Sequence, residues 1–242
     1  MHTKQIKIIV DTDNPSEKAG IVLEDALIGS EHTPILLLVS GGSSMHILDN
    51  VAPDILGAHI TVAVLDERFD RDPAINNFTQ LKGTRFYTSA KEHGVSFIDT
   101  FPEEGDTLRS LAERFERELR AWRDENPKGI VIVTLGMGAD GHVAGIMPYP
   151  KDGFLFNALF SSSEHWAVGY DAEEKNTYPL RMTVTNTYLR DEVGYAIWHV
   201  VGDEKGDMLM QALENNEKIN MVPARIVHIM KEVVLVTDHK ID

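Results

Sequence analysis

His142 is the side chain in this sequence best placed to move a proton near neutral pH. It closes the run Gly136-Met-Gly-Ala-Asp140-Gly141-His142, whose small residues leave the imidazole reachable. A loop histidine is also an ordinary surface residue, so its company decides between the two readings. Ser40-Gly41-Gly42-Ser43-Ser44 offers backbone N–H groups and small hydroxyls that can wrap an oxyanion, or simply turn the chain tightly. Asp66-Glu67-Arg68 supplies carboxylates and a guanidinium. They are able to bind hydroxyls and stabilise developing negative charge, or to form a solvated rim. Arg181, within residues 179–185, and Lys205, within Gly202-Asp-Glu-Lys205, are two cations that would complete a phosphate site beside the serine-glycine run.

The run from Gly136 to Gly141 also spells Gly-x-Gly-x-x-Gly, the dinucleotide fingerprint. That motif should open a long helix and be followed about 20 residues later by an acid ending the next strand. Pro148 and Pro150 cut such a helix short, so a nicotinamide cofactor is not expected. There is no cysteine, and no histidine pair has the spacing of a zinc-binding helix, so no metal or other cofactor is expected.

These segments need elements to position them. Residues 35–39 are continuously apolar, as expected of a strand covered on both faces of a parallel sheet, and residues 130–135 are another buried-strand run. Further strands are expected at 6–10, 59–65, 166–170, 181–185, 195–201 and 233–237. A helix is expected from Pro15, with Asn14 as its cap and Gly29 as its end. A second runs from a cap at Asp106 through Leu108, Leu111, Ala112, Phe115, Leu119 and Trp122 to Asn126-Pro127. Between Asp66 and about Gly105 the signals are weak, and loops with short elements are expected. The alternation of strand, glycine-bearing loop and helix predicts an α/β fold, a mostly parallel, Rossmann-like sheet with helices on both faces. Ligands of such sheets sit at the carboxyl ends of the strands, where the four chemically loaded segments would emerge as loops.

Composition sets the outer limits. The 242 residues are 43% hydrophobic and 25% charged, ordinary globular values, and the reading is one domain over 1–242. A net charge of −15 repels nucleic acid and anionic membranes, so neither is an expected partner. An anionic substrate then requires specific local cations. The N-terminus has no signal-peptide pattern and the apolar runs are too short to cross a bilayer, so a cytoplasmic location is expected. Nothing in the sequence specifies an oligomeric state.

Taken in order, the segments resemble the 6-phosphogluconolactonase family, within the wider fold shared with glucosamine-6-phosphate deaminases and ribose-5-phosphate isomerases. The resemblance runs from Ser40-Gly-Gly-Ser through Asp66-Glu-Arg68 with Asn77, and through Leu135 to Ala144 ending at Pro148. It continues in 179–185, Gly202–Lys205 and Pro223-Ala224. It departs from the lactonase pattern at Asn76, at Ile146-Met147 and at a short C-terminal end. Arg68 stands where the deaminases place a tyrosine, and Met147 where they place the glutamate that partners their histidine. The resemblance implies hydrolysis of 6-phospho-D-glucono-1,5-lactone, a step of the oxidative pentose phosphate pathway. In that reading His142 is the general base, Arg68 stabilises the oxyanion, Asp140 orients the histidine and Asp66 binds sugar hydroxyls. Residues 40–44, Arg181 and Lys205 hold the phosphate. A deaminase or isomerase on the same fold, and a non-catalytic sugar-phosphate-binding protein, are the alternatives.

Overall fold

The computed structural model describes residues 6–214 and 218–241. Seven strands form a parallel sheet in the order β1-β10-β9-β6-β2-β3-β5. They are β1 (Lys7–Val10), β2 (Ile35–Val39), β3 (Ile60–Val64), β5 (Ser96–Phe97), β6 (Ile130–Leu135), β9 (Val193–Val200) and β10 (Val233–Thr237). All five residues of β2 are buried, because the strand is covered on both faces. Alternate side chains feed two apolar layers. Leu36 and Leu38 join Val131, Val133 and the face of α4 (Leu108–Glu125). Ile35, Leu37 and Val39 join Ile132 and the face of α1 (Pro15–Ile28).

The second helix begins one residue later than expected. Thr107, not Asp106, is its cap, and the Thr107 and Ser110 side chains each accept from the other's backbone N–H in a capping box. Asp106 instead pairs with Arg114 at 2.9 Å. The weak stretch before it holds two short helices, α2 (Asn77–Lys82) and α3 (Arg85–Glu92), capped by the Asn76 and Thr84 side chains. Smaller helices α5 (Gly153–Phe160), α6 (Asn186–Asp191) and α7 (Gly206–Leu213) complete the α4 side.

One expectation is corrected by a second sheet. Asp66–Arg68 is not a loop at a strand end but a strand, β4, antiparallel to β8 (Leu180–Val184), which in turn pairs with β7 (Ala167–Asp171). Leu65 is the joint. Its N–H donates to Val39 in the large sheet, and its carbonyl accepts from Val184 in the small one. Three charged residues can form a strand here because their backbone groups are paired by β8 and their side chains find partners, as described below.

Candidate active site

The loops after β2, β6 and β9 and one face of the small sheet enclose a cavity of about 310 Å³. Ser40, Gly41, Gly42, Ser43 and Ser44 line one side and His142 another, with Asp66, Arg68, Arg181 and Lys205 completing the wall. Asp140 does not line the cavity but stands behind the histidine. Every candidate except Asp140 therefore faces one space.

His142 is held by its own loop. Its Nδ1 lies 2.5 Å from Asp140 Oδ1, and the same oxygen accepts the His142 backbone N–H at 3.2 Å. A carboxylate can only accept, so Nδ1 carries the proton that faces Asp140, and Nε2 is the ring atom left to exchange a proton with a ligand. Burial pushes the Asp140 carboxyl up, but the hydrogen bond and charge of His142 outweigh it and hold the group below the usual carboxylate range. Gly138 is required by this packing. A Cβ there would stand 2.2 Å from the His142 ring. Beyond the histidine, the Tyr170 hydroxyl donates to Gly145 O at 2.5 Å, and the Gly145 N–H donates to Thr183 Oγ1 at 3.0 Å. Burial pushes the Tyr170 phenol up, so it keeps the proton it donates. The small sheet thus pins the loop that carries His142.

The serine-glycine run touches both neighbouring segments. Ser40 Oγ accepts from the Gly136 N–H at 3.3 Å, and a Cβ on Gly136 would stand 2.8 Å from Ser44 Oγ. Gly42 has φ +65 and opens a 3-10 turn over Gly42–Asn50, whose first N–H groups have no intrahelical acceptor. Gly41 lies against Asn77, whose side chain would be 2.3 Å from a Cβ there.

On the small sheet, Arg68 is directly opposite Arg181 in the register, with Asp66 two residues away on the same face. Opposed like charges destabilise a strand pair, and the surroundings offset this. Asp66 Oδ2 accepts from Arg181 Nη1 at 3.3 Å, and Asn176 Oδ1 accepts from Nη2 at 2.7 Å. Arg68 donates to Ile75 O at 3.2 Å and lies 5.2 Å over the Tyr178 ring, while its Nε has no partner. Asp66 and Arg181 therefore form a paired unit, Arg181 being only 4% exposed, whereas Arg68 and Lys205 keep more freedom.

Glu67 points the other way. Its carboxylate accepts from the N–H groups of Arg68, Asn77 and Phe78 at 2.8, 2.6 and 2.9 Å and from Thr100 Oγ1 at 3.0 Å. It caps α2 and so fixes Asn77 at the cavity wall, where Asn77 Oδ1 has no partner. Burial pushes the Glu67 carboxyl up to about 7 against those donors, and the charge of Asp66 adds to the rise.

The residues overlooked as site members are Asn77, Asn176, Thr177, Tyr178, Met137 and Ala144. The Asn176–Tyr178 segment lacks glycine and sits in an ordinary polar stretch, so only the pairing of β4 with β8 reveals it. Among the described residues no group of three or more His, Asp and Glu is gathered to hold a metal ion, and no helix is long and apolar enough to cross a membrane.

Comparison with known proteins gives the same setting. The profile of glucosamine-6-phosphate isomerases/6-phosphogluconolactonase matches residues 19–236. A 6-phosphogluconolactonase of Rhizobium meliloti is 25% identical over 221 residues, 86% of this chain and 88% of that protein. Among solved structures, the 6-phosphogluconolactonase of Shewanella baltica superposes with a TM-score of 0.75 at 20% identity, covering 97% of each chain. That of Trypanosoma brucei superposes at 0.73 and 16% identity, covering 96% of each. The structures share the fold, seven parallel strands with the small antiparallel sheet beside them, and the profile covers every loop of the cavity and every strand but β1: the chain belongs to the glucosamine-6-phosphate isomerase/6-phosphogluconolactonase family.

Proposed function

We propose that the protein hydrolyses 6-phospho-D-glucono-1,5-lactone to 6-phosphogluconate by His142-assisted attack of water on the lactone carbonyl. The observation that carries this reading is the Asp140–His142 pair, with Nδ1 turned to the carboxylate, at the wall of a cavity that also holds Arg68, Arg181 and Lys205. In a chain of net charge −15, three cations around one cavity are the local reversal of potential that an anionic substrate needs.

The phosphate is held by the N–H and hydroxyl groups of residues 40–44 with Lys205, and by Arg181 through its exposed edge. Binding at that end fixes the carbonyl at the other. His142 Nε2 takes a proton from the attacking water, and Asp140 stabilises the imidazolium that forms. The C–O bond to water forms, the carbonyl electrons move onto oxygen and Arg68 stabilises the tetrahedral oxyanion. The intermediate collapses, the ring C–O bond breaks, and the proton on Nε2 passes to the departing ring oxygen. Asp66, tied to Arg181, accepts from sugar hydroxyls. Met147 is fully buried and provides no carboxylate for the ring-opening relay of a deaminase.

The test is pH-stat measurement of acid release from the lactone above its spontaneous rate, with ammonia release from glucosamine 6-phosphate as the control. His142→Ala is expected to lower kcat by about 10²–10⁴-fold with KM held. Near wild-type turnover in that variant, or ammonia release by the wild type, would overturn the assignment.

A further inference from the structure

Lys205 reaches the cavity from a turn with an unusual anchor. The chain leaves β9 through Gly202 at φ 105, a conformation that favours glycine, and both backbone groups of Gly202 are held by the residues that follow β10. Its N–H donates to Asp238 Oδ2 at 3.0 Å. Its carbonyl accepts from His239 Nε2 at 3.0 Å and also from the Lys205 N–H at 3.0 Å, which closes the turn. A carbonyl can only accept, so His239 carries a proton on Nε2.

The clamp is itself fixed. The His239 N–H donates to Thr237 Oγ1 at 3.2 Å, and Thr237 is the fully buried last residue of β10. The ring also stacks where α7 begins, since a Cβ on Gly206 would stand 3.1 Å from its Nδ1. No ion pair holds the Lys205 ammonium among the described residues, so the backbone turn sets the point from which its flexible stem reaches the cavity. His199, beneath the turn, offers no competing cation for Asp238. Burial pushes its imidazole down to about 4, and Lys205 adds to the fall.

We propose that Asp238 and His239 are positioning residues for substrate binding, a clamp that holds the Gly202–Lys205 turn so that Lys205 meets the substrate's phosphate. The proposal rests on the lactonase reading of the cavity and assigns a specific function to the two residues that follow β10. The clamp touches no reacting atom, so its loss acts on binding and leaves the chemical step in place.

The test is steady-state hydrolysis of 6-phosphogluconolactone by the full chain carrying His239→Ala, His239→Gln, Lys205→Ala, or His239→Ala with Lys205→Ala. His239→Ala is expected to raise KM by about three- to tenfold with kcat within about twofold of wild type. His239→Gln, whose amide N–H reaches the Gly202 carbonyl, restores KM. The double variant is no worse than Lys205→Ala, because the clamp works through that lysine. An unchanged KM in His239→Ala beside a raised KM in Lys205→Ala overturns the clamp and leaves the lactonase reading standing. Multiplying effects in the double variant do the same. A fall in kcat and Tm that glutamine does not rescue marks a general structural role and also overturns it. Unchanged KM in Lys205→Ala removes the phosphate contact and the clamp together, while absence of lactone hydrolysis in the wild type overturns the function itself.

Discussion

The seven-stranded sheet buries its central strands between two apolar layers, whereas the three-stranded sheet buries Asp66, Glu67, Arg181 and Thr183 among their partners. Both contribute to one cavity, in different ways. The large sheet offers loops at its carboxyl edge, where Gly138, His142 and Lys205 can change with little effect on the core. The small sheet offers its own face, so its site residues are framework residues too. A substitution in a loop should act on rate or affinity alone. A substitution in β4 or β8 should act on stability as well.

The largest effect that tests this contrast is Asp66→Ala. It leaves the Arg181 guanidinium, 4% exposed, without its counter-charge, and losing one member of a buried pair costs about 3–5 kcal/mol. Urea unfolding measures it. A cost under about 1 kcal/mol would show the small sheet to be as tolerant as a loop. Next is Gly138→Ala in the glycine run. The new Cβ would meet the His142 ring at 2.2 Å and Asp140 Oδ1 at 2.7 Å, so the imidazole must swing away. We expect kcat to fall by about 10²–10³-fold with the unfolding midpoint nearly unchanged. A large loss of stability would erase the distinction from the other side.

Glu67→Gln probes the small sheet through pH. The carboxyl rises from an ordinary 4.5 to about 7 on folding, so across that window the folded chain binds the proton more tightly than the unfolded one. The associated stability is fully present below about pH 4.5 and is lost as pH rises through 7, up to about 3 kcal/mol. The backbone donors of Arg68, Asn77 and Phe78 favour the ionised form, and their opposing pull is already contained in that figure. Glutamine does not titrate, so unfolding curves at pH 5 and pH 8 should lose this slope. The variant is also less stable by about 1–3 kcal/mol at either pH, because its NH₂ faces the N–H groups at the start of α2. Equal slopes in the two proteins would remove the titration from Glu67.

The same contrast explains what was legible in the sequence. Residues 35–39 form an unbroken apolar run and residues 130–135 a run broken only by Thr134, because their strands are covered twice, and the loops they deliver, at Ser40 and Gly136, could be located at once. Asp66-Glu67-Arg68 looks like a charged loop because its apolar covering is replaced by partners distant in sequence: Arg181, Asn77 and Thr100. Periodicity reads burial against apolar neighbours and is silent on burial against ionic ones. For this reason Asn176 and Tyr178 also escaped notice, since a polar segment becomes part of a site only when a strand pairing brings it there. Arg181 was visible as a cation, but its engagement by Asp66 was not.

The smallest expected effect gives the finest separation of charge from geometry. Asp140 is half exposed, with 41% of its side chain accessible, so the pair it forms with His142 adds less than about 1 kcal/mol to stability. Asp140→Asn keeps an oxygen in place to accept the His142 backbone N–H and Nδ1–H, so the turn and the tautomer survive and only the negative charge is removed. The neutral base is unaffected, but the imidazolium formed as water attacks loses its counter-ion. A loss confined to that moment lowers kcat and kcat/KM together and leaves KM alone. We expect a fall of about tenfold in kcat, with KM and the unfolding midpoint unchanged. If kcat holds, Asp140 only turns the loop, and the base works without help from the carboxylate. If KM rises instead, Asp140 is acting on the bound substrate, and the division between a chemical loop and an electrostatic framework has to be drawn through the loop itself.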